Sequence, residues 1–206
     1  MVEIYPGTVH LPGFLSLKDQ KALASRCEAI GSASAGFYTP EVQGGAYMRI
    51  KMVCLGKHWN PKTYKYEATR SDHDGLAVQE LPDDLKDFAR RAGLSAGMQI
   101  DPDICLLSFY SEAGRLGLHQ DKDERAETIE AGIPVLSISL GDTAEFLIGG
   151  TRRKDPLKIV LLESGDAIVF GGPSRLRYHG VSGIIAATAP AELGIQGRFN
   201  LSFRQY

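Results

Sequence analysis

The rhythm of hydrophobic and polar positions changes near residue 101. Before it, after an extended lead-in, apolar residues recur mostly at helical spacing. Leu23, Cys27 and Ile30 share one face of a helix that Ser16, with Asp19 three residues on, opens as a capping box and that Gly31 is placed to end. Leu85, Phe88, Ala89 and Ala92 repeat the pattern over residues 82–92, with Pro82 in the first turn and Gly93 as the stop. Residues 31–45 have turn composition and read as an exposed loop. Residues 47–55 and 64–66 read as short strand-like pieces around Gly56 and Asn60-Pro61.

After Asp101-Pro102 the period falls to two. Residues 104–110, 117–121, 135–140, 145–148, 159–162, 167–170, 177–181 and 197–204 read as strands, separated by turn signals such as Gly141-Asp142, Gly149-Gly150 and Glu163-Ser164-Gly165-Asp166. No helical crossover of adequate length separates them, which argues against a parallel sheet. The fold expected is mainly β with flanking helices, a sandwich or jelly roll that can close over a cavity.

Size and composition narrow the class. A chain of 206 residues suffices for one domain with an elaborated edge, and 43% hydrophobic with 23% charged residues is ordinary globular composition. No run approaches the roughly 18 apolar residues of a membrane span, and the start, Met1-Val2-Glu3-Ile4-Tyr5-Pro6, lacks the basic and apolar regions of a signal peptide. A cytoplasmic protein with no membrane partner is expected. Cys27, Cys54 and Cys105 show no Cys-x-x-Cys spacing, which argues against a disulfide framework or a zinc knuckle and for buried thiols.

The net charge of -2 is unevenly spread. From Gly44 to Arg70 six basic residues face the single acid Glu67, interleaved with Tyr47, Trp59, Tyr64 and Tyr66. Aromatic faces among cations suit a single strand or a flipped base, although the segment alone equally fits edge-of-core aromatics beside a solvated charged face.

Candidate chemistry centres on Leu118-His119-Gln120-Asp121. On an extended strand His119 and Asp121 point the same way, giving one imidazole and one carboxylate. His179, in Arg177-Tyr178-His179-Gly180, would complete a 2-His-1-carboxylate set with open positions, the arrangement of non-haem Fe(II) oxygen chemistry. In the final strand Arg198, Asn200, Ser202 and Arg204 have one parity, and Phe199, Leu201 and Phe203 the other. Arg198 could then fork onto a carboxylate, with Tyr110 adding a hydroxyl.

Together, His119-x-Asp121, His179 and Arg198-x-Asn200-x-x-x-Arg204 resemble the AlkB family of Fe(II)- and 2-oxoglutarate-dependent dioxygenases, most closely the bacterial type. The resemblance covers most of the chain and is tightest from about residue 104 to 205. It implies a double-stranded β-helix (cupin-like jelly roll) over residues 101–206, with N-terminal helices and a nucleotide-recognition lid over residues 1–100. It implies His119, Asp121 and His179 as catalytic iron ligands, and Tyr110, Ser108, Arg198, Asn200 and Arg204 around 2-oxoglutarate, Arg204 nearer the iron. Ser108 stands where relatives commonly carry asparagine, so one cosubstrate contact is expected to be weaker. Trp59 would stack on an extruded base, Tyr66 and Arg153 would hold the strand, and Asp123 would accept from an exocyclic amino group. The implied reaction couples 2-oxoglutarate and O2 consumption to removal of N-alkyl groups, such as those of 1-methyladenine and 3-methylcytosine, from DNA with release of formaldehyde. Single-stranded DNA is the expected partner, with RNA open, for a monomer. The alternatives are a dioxygenase of the same fold acting on a protein or small molecule, and a jelly-roll binding protein without enzymatic activity.

Overall fold

The structure, a computed structural model, describes residues 1–206. The chain opens with strands β1 (Val2–Tyr5) and β2 (Thr8–Leu11) and helix α1 (Leu17–Ser32), then β3 (Lys51–Leu55), β4 (His58–Asn60) and β5 (Lys65–Glu67). Helix α2 (Asp83–Ser95) leads into β6 (Ile104–Tyr110) and β7 (Leu116–His119), followed by the short α3 (Ala126–Glu130). The remainder is β8 (Val135–Gly141), β9 (Thr143–Ile148), β10 (Lys158–Leu162), β11 (Ala167–Phe170), β12 (His179–Ile185) and β13 (Arg198–Arg204).

A seven-stranded sheet ordered β1-β2-β11-β8-β13-β6-β3 faces a four-stranded sheet ordered β10-β9-β12-β7, and β4-β5 forms a separate hairpin. Every strand pairing is antiparallel, as a jelly roll requires. Three strands of the large sheet come from the first 55 residues. The expected division at residue 100 is therefore not a seam of the fold.

Strand alternation builds two interiors. One face of the large sheet presents Phe199, Leu201 and Phe203, Leu136 and Ile138, and Cys105 and Leu107 to helix residues Leu23, Cys27, Ile30, Leu85, Ala89 and Ala92. The opposite face looks toward the small sheet, where Tyr110, Phe146, Ile148, Ile168, Phe170 and Val181 pack. On three adjacent strands, however, this inner face carries Ser108, Ser137, Ser139, Arg198, Asn200, Ser202 and Arg204. Polar side chains cannot close an interior as hydrocarbon does, and the space they leave is a cavity of about 600 Å³.

Helix α1 begins as expected, with the Ser16 hydroxyl accepting from the Asp19 N–H at 3.2 Å. The two expected glycine stops lie inside their helices instead. A Cβ on Gly31 would meet the Phe37 ring at 2.1 Å, and one on Gly93 would meet the Met98 carbonyl oxygen at 2.9 Å. These glycines admit a neighbour rather than end a helix. Phe37 stacks on Phe199 and Tyr38 is buried, so the expected exposed loop over residues 31–45 folds inward at its middle. Strand 117–121 is shorter than its alternation suggested, ending at His119 with Asp121 just beyond it.

All three cysteines are buried and free. No helix is long and apolar enough to cross a membrane.

Candidate active site

The two histidines meet through sheet register. β12 pairs with β7 so that His179 and His119 are direct cross-strand partners, their ring centroids 4.3 Å apart. Gln120, between the two nearby candidate ligands, points away and donates to the Leu176 carbonyl at 2.6 Å, tying this segment to the one that carries His179. The Asp121 carboxylate completes the group: Oδ1 lies 3.8 Å from His119 Nε2, and Oδ2 lies 3.6 Å from His179 Nε2. One ligand atom from each of the three residues lies within 4.8 Å of the others, a spacing that one ion could bridge.

Tautomers support a metal. His119 Nδ1 donates to the Gly117 carbonyl at 2.9 Å and His179 Nδ1 to the Arg177 carbonyl at 3.0 Å, leaving both Nε2 lone pairs facing Asp121. Burial pushes the His179 pKa down to about 4, so its imidazole is neutral at physiological pH, the form that ligates. Burial alone would raise the Asp121 pKa, but the Arg204 guanidinium and the two imidazoles outweigh it and hold the carboxyl well below the usual carboxylate range.

Behind Asp121 lies a buried ionic network with no local mark in the sequence. Arg204 Nη2 donates to Asp121 Oδ2 at 2.8 Å, and Arg204 Nε lies 3.2 Å from Glu124 Oε1. Arg175 donates to Glu124 Oε2 at 2.8 Å and to the Asp121 backbone carbonyl. Glu124 and Arg175 are functional neighbours that sequence reasoning missed, because 51 positions separate a pair whose contact depends wholly on the fold. Both lie within residues 104–205, where the family resemblance is tightest, and that was the available signal.

Arg198 occupies the other end of β13 and is only 1% exposed. Its Nη2 donates to Ser139 Oγ at 2.9 Å and Asn200 Oδ1 at 2.8 Å, and the guanidinium lies 5.2 Å from the Tyr110 ring centroid. Its Nη1 and Nε have no partner. Burial pushes its pKa down to about 10, the mark of a cation without a counter-charge. An unpaired buried guanidinium opening on the cavity that holds the triad fits a carboxylate from outside the chain. Ser108 and Tyr110 line the same cavity. The two arginines of β13 do not converge, since Arg204 is engaged by Asp121 and Glu124.

At the cavity mouth Trp59 and Tyr66 are cross-strand partners in the β4-β5 hairpin. Trp59 Nε1 donates to Asp123 Oδ2 at 2.8 Å, so the acceptor expected for a base amino group here holds the indole. The Tyr66 hydroxyl donates inward to Glu124 Oε1 at 3.1 Å rather than facing outward toward a strand. Arg153 lies on the rim, donating to the Leu118 carbonyl at 2.9 Å.

A jelly roll with a His-Asp-His group and an unpaired guanidinium in one cavity defines the class of metal- and keto-acid-dependent oxygenases, and a sequence model of the 2OG-Fe(II) oxygenase superfamily matches residues 7–204. An AlkB homologue of Caulobacter vibrioides, named an alpha-ketoglutarate-dependent dioxygenase, is 37% identical over 205 residues, covering 98% of this chain and 89% of the relative. The chain belongs to this superfamily and, within it, to the AlkB family. A DNA N(6)-methyladenine demethylase of Arabidopsis thaliana is 43% identical over 224 residues, covering 98% of this chain and 49% of the relative. The chain spans about half the length of the curated plant relatives it matches. The solved structure of OsALKBH1 superposes with a TM-score of 0.91 at 41% identity, covering 99% of this chain and 100% of that one.

Proposed function

We propose that this chain is an Fe(II)- and 2-oxoglutarate-dependent dioxygenase that removes alkyl groups from the bases of nucleic acid, DNA in the first instance, in the cytoplasm. The observation that carries the reading is the continuity of one cavity from the unpaired Arg198 guanidinium, past the triad, to the Trp59 ring. Cosubstrate, metal and base then have adjoining places in a single space.

Fe(II), with 2-oxoglutarate and O2, supplies the oxidising power that hydroxylates an N-alkyl carbon, and the hydroxylated group leaves the base as an aldehyde, formaldehyde for a methyl. The chain's own work is positioning. His119, Asp121 and His179 would hold the metal. Arg198 would take the distal carboxylate on its free Nη1, with the Tyr110 ring beside the guanidinium. Arg204 keeps Asp121 ionised and oriented. The inner wall of Phe146, Phe170 and Val181 would exclude water. Trp59 would stack on the extruded base, while Lys62 and Lys65 on the same hairpin and Arg153 on the rim would meet phosphates. Cationic bases such as 1-methyladenine and 3-methylcytosine suit a mouth bearing Asp123 and the buried acids behind it.

The name of the Arabidopsis relative favours a second substrate, 6-methyladenine, in which the alkyl carbon sits on the exocyclic nitrogen. One experiment separates the readings. The protein is incubated anaerobically with Fe(II) and 2-oxoglutarate, then given oxygen and single-stranded oligonucleotides carrying 1-methyladenine, 3-methylcytosine or 6-methyladenine, with succinate and formaldehyde measured. Formaldehyde is expected from the first two, and Asp121→Ala is expected to abolish both products. Formaldehyde from 6-methyladenine alone would move the assignment to the second substrate. Succinate without formaldehyde from any oligonucleotide would remove nucleic acid as the substrate.

A further inference from the structure

The turn that joins β4 to β5 carries a strained aromatic residue. Asn60 and Lys65 are cross-strand partners, so Pro61, Lys62, Thr63 and Tyr64 make the turn, closed by the Tyr64 N–H donating to the Asn60 carbonyl at 2.9 Å. Tyr64 sits at φ 56°, the left-handed region that a glycine enters freely and that crowds the Cβ of any other residue against the backbone. The turn is held there from inside. Asn60 is buried, its Oδ1 accepts from the Lys62 and Thr63 N–H groups at 2.9 and 3.2 Å, and its Nδ2 donates to Ser71 Oγ at 3.0 Å. Two residues earlier the buried His58 bonds Asp72, and Trp59 between them packs against Tyr38, Met52 and Cys54. The hairpin is therefore a fixed platform whose one left-handed residue is a tyrosine.

The Tyr64 ring is not part of the core. It is 51% exposed, while Trp59 beside it is half-buried and Tyr66 bonds the buried Glu124. It lines the cavity at its mouth, with its ring centroid 6.1 Å from that of Trp59 and its plane tilted by 59°. Rings at that angle cannot both lie flat on one base, so they offer faces to two. The next residue, Lys65, is exposed on the same hairpin.

We propose that Tyr64 forms a second stacking subsite, for the base next to the extruded one on the same strand, with Lys65 beside it for a phosphate. The inference rests on the nucleobase reading above and adds where the neighbouring nucleotide goes. Extruding one base removes the stacking partner of the next, and a fixed aromatic face at the cavity mouth replaces it. Every base has a π-face, so the subsite is indifferent to sequence. The strained angle supports a role for the ring itself, because glycine or asparagine would satisfy the turn without strain.

The test uses the full chain with 2-oxoglutarate and with Zn(II) in place of Fe(II), because Zn(II) accepts the same ligands without redox chemistry. Two trinucleotides with a central 1-methyladenine compete against a labelled single strand in fluorescence anisotropy, one flanked by thymines and one by abasic sugars. Their phosphates are identical, so the ratio of their dissociation constants isolates stacking of the flanking bases. The wild-type protein is expected to bind the thymine-flanked trinucleotide roughly tenfold more tightly, the scale of one base on one aromatic ring. Tyr64→Gly and Tyr64→Asn both tolerate the left-handed angle, so they are expected to keep or raise the thermal midpoint while erasing the difference between the trinucleotides. Tyr64→Phe should preserve it.

Equal binding of the two trinucleotides by the wild-type protein would overturn the subsite, whether or not any variant folds. An undiminished ratio in Tyr64→Gly would overturn it too, and a lower thermal midpoint in that variant would then make the ring a prop for the turn. Failure of the nucleobase reading would look different: 2-oxoglutarate would bind, yet neither the labelled strand nor either trinucleotide would, and the subsite would fall with that reading.

Discussion

Arg198 and Arg204 stand at the two ends of one strand, face one cavity and are both almost wholly buried, yet their electrostatic situations are opposite. Arg204 sits between Asp121 and Glu124, whose charges more than offset its burial and raise its pKa well above the ordinary arginine value. Arg198 has two serine- and asparagine-side contacts, an aromatic ring and no acid, and burial lowers its pKa. Residue type and strand parity are the same at the two ends. What differs is whether the fold supplies the anion or leaves it to a ligand.

The same substitution at the two positions should therefore do opposite things. Arg204→Met leaves two buried carboxylates short of a partner and is expected to cost about 3–5 kcal/mol of stability, measured by urea or thermal unfolding. Arg198→Met strands no acid, and replacing a buried charge by hydrocarbon of similar volume is expected to change stability by about 1 kcal/mol or less in either direction. Equal losses at both sites would mean that Arg198 has an anionic partner within the protein, and the contrast between the two ends would disappear.

Binding should reverse the order. Loss of the Arg198 guanidinium is expected to weaken 2-oxoglutarate by roughly 100-fold, the scale of removing one member of a buried, hydrogen-bonded charge pair. Calorimetric titration of the Zn(II) form would show it. The same contrast appears as thermal protection. At about 100 times the wild-type dissociation constant, 2-oxoglutarate should add about 2.7 kcal/mol of stability to the wild-type protein and only about 0.4 kcal/mol to Arg198→Met. In a domain of this size that is a rise of several degrees against about one. Full protection of the variant would place the cosubstrate carboxylate elsewhere.

This comparison also explains what could be read before folding and what could not. The alternation in residues 197–204 assigns the arginines to one face and the phenylalanines to the other, as the strand shows, because a period of two is a local property of the backbone. Eight strands were legible from residue 104 onward for the same reason, and His119, Asp121 and His179 from residue type and spacing. The partners of the arginines were not. Glu124 reaches Arg175 and Arg204 only after β7, β12 and β13 are assembled, and Asp123 meets Trp59 across 64 positions of sequence. Gly31 and Gly93 misled because a glycine admitting a ring or a carbonyl looks, in sequence, like one ending a helix.

A third arginine of the same cavity sets the lower bound of the comparison. Arg153 lies on the exposed rim, makes one hydrogen bond to the Leu118 carbonyl and lies 5.8 Å from the Tyr178 ring centroid, with water free to replace both. Arg153→Ala should therefore change stability by no more than about 0.5 kcal/mol, the ordinary range for surface positions. Its effect should fall on the oligonucleotide and not on 2-oxoglutarate: one phosphate contact fewer, a KM raised a few-fold, and a log–log salt dependence of binding less steep by about 0.7, as for one phosphate released from a single strand. Fluorescence anisotropy across a salt series would measure it. An unchanged slope would assign Arg153 to bracing the β7 backbone beside His119, and a loss of 2-oxoglutarate affinity would show that the rim and the Arg198 end are not separable as their burial implies.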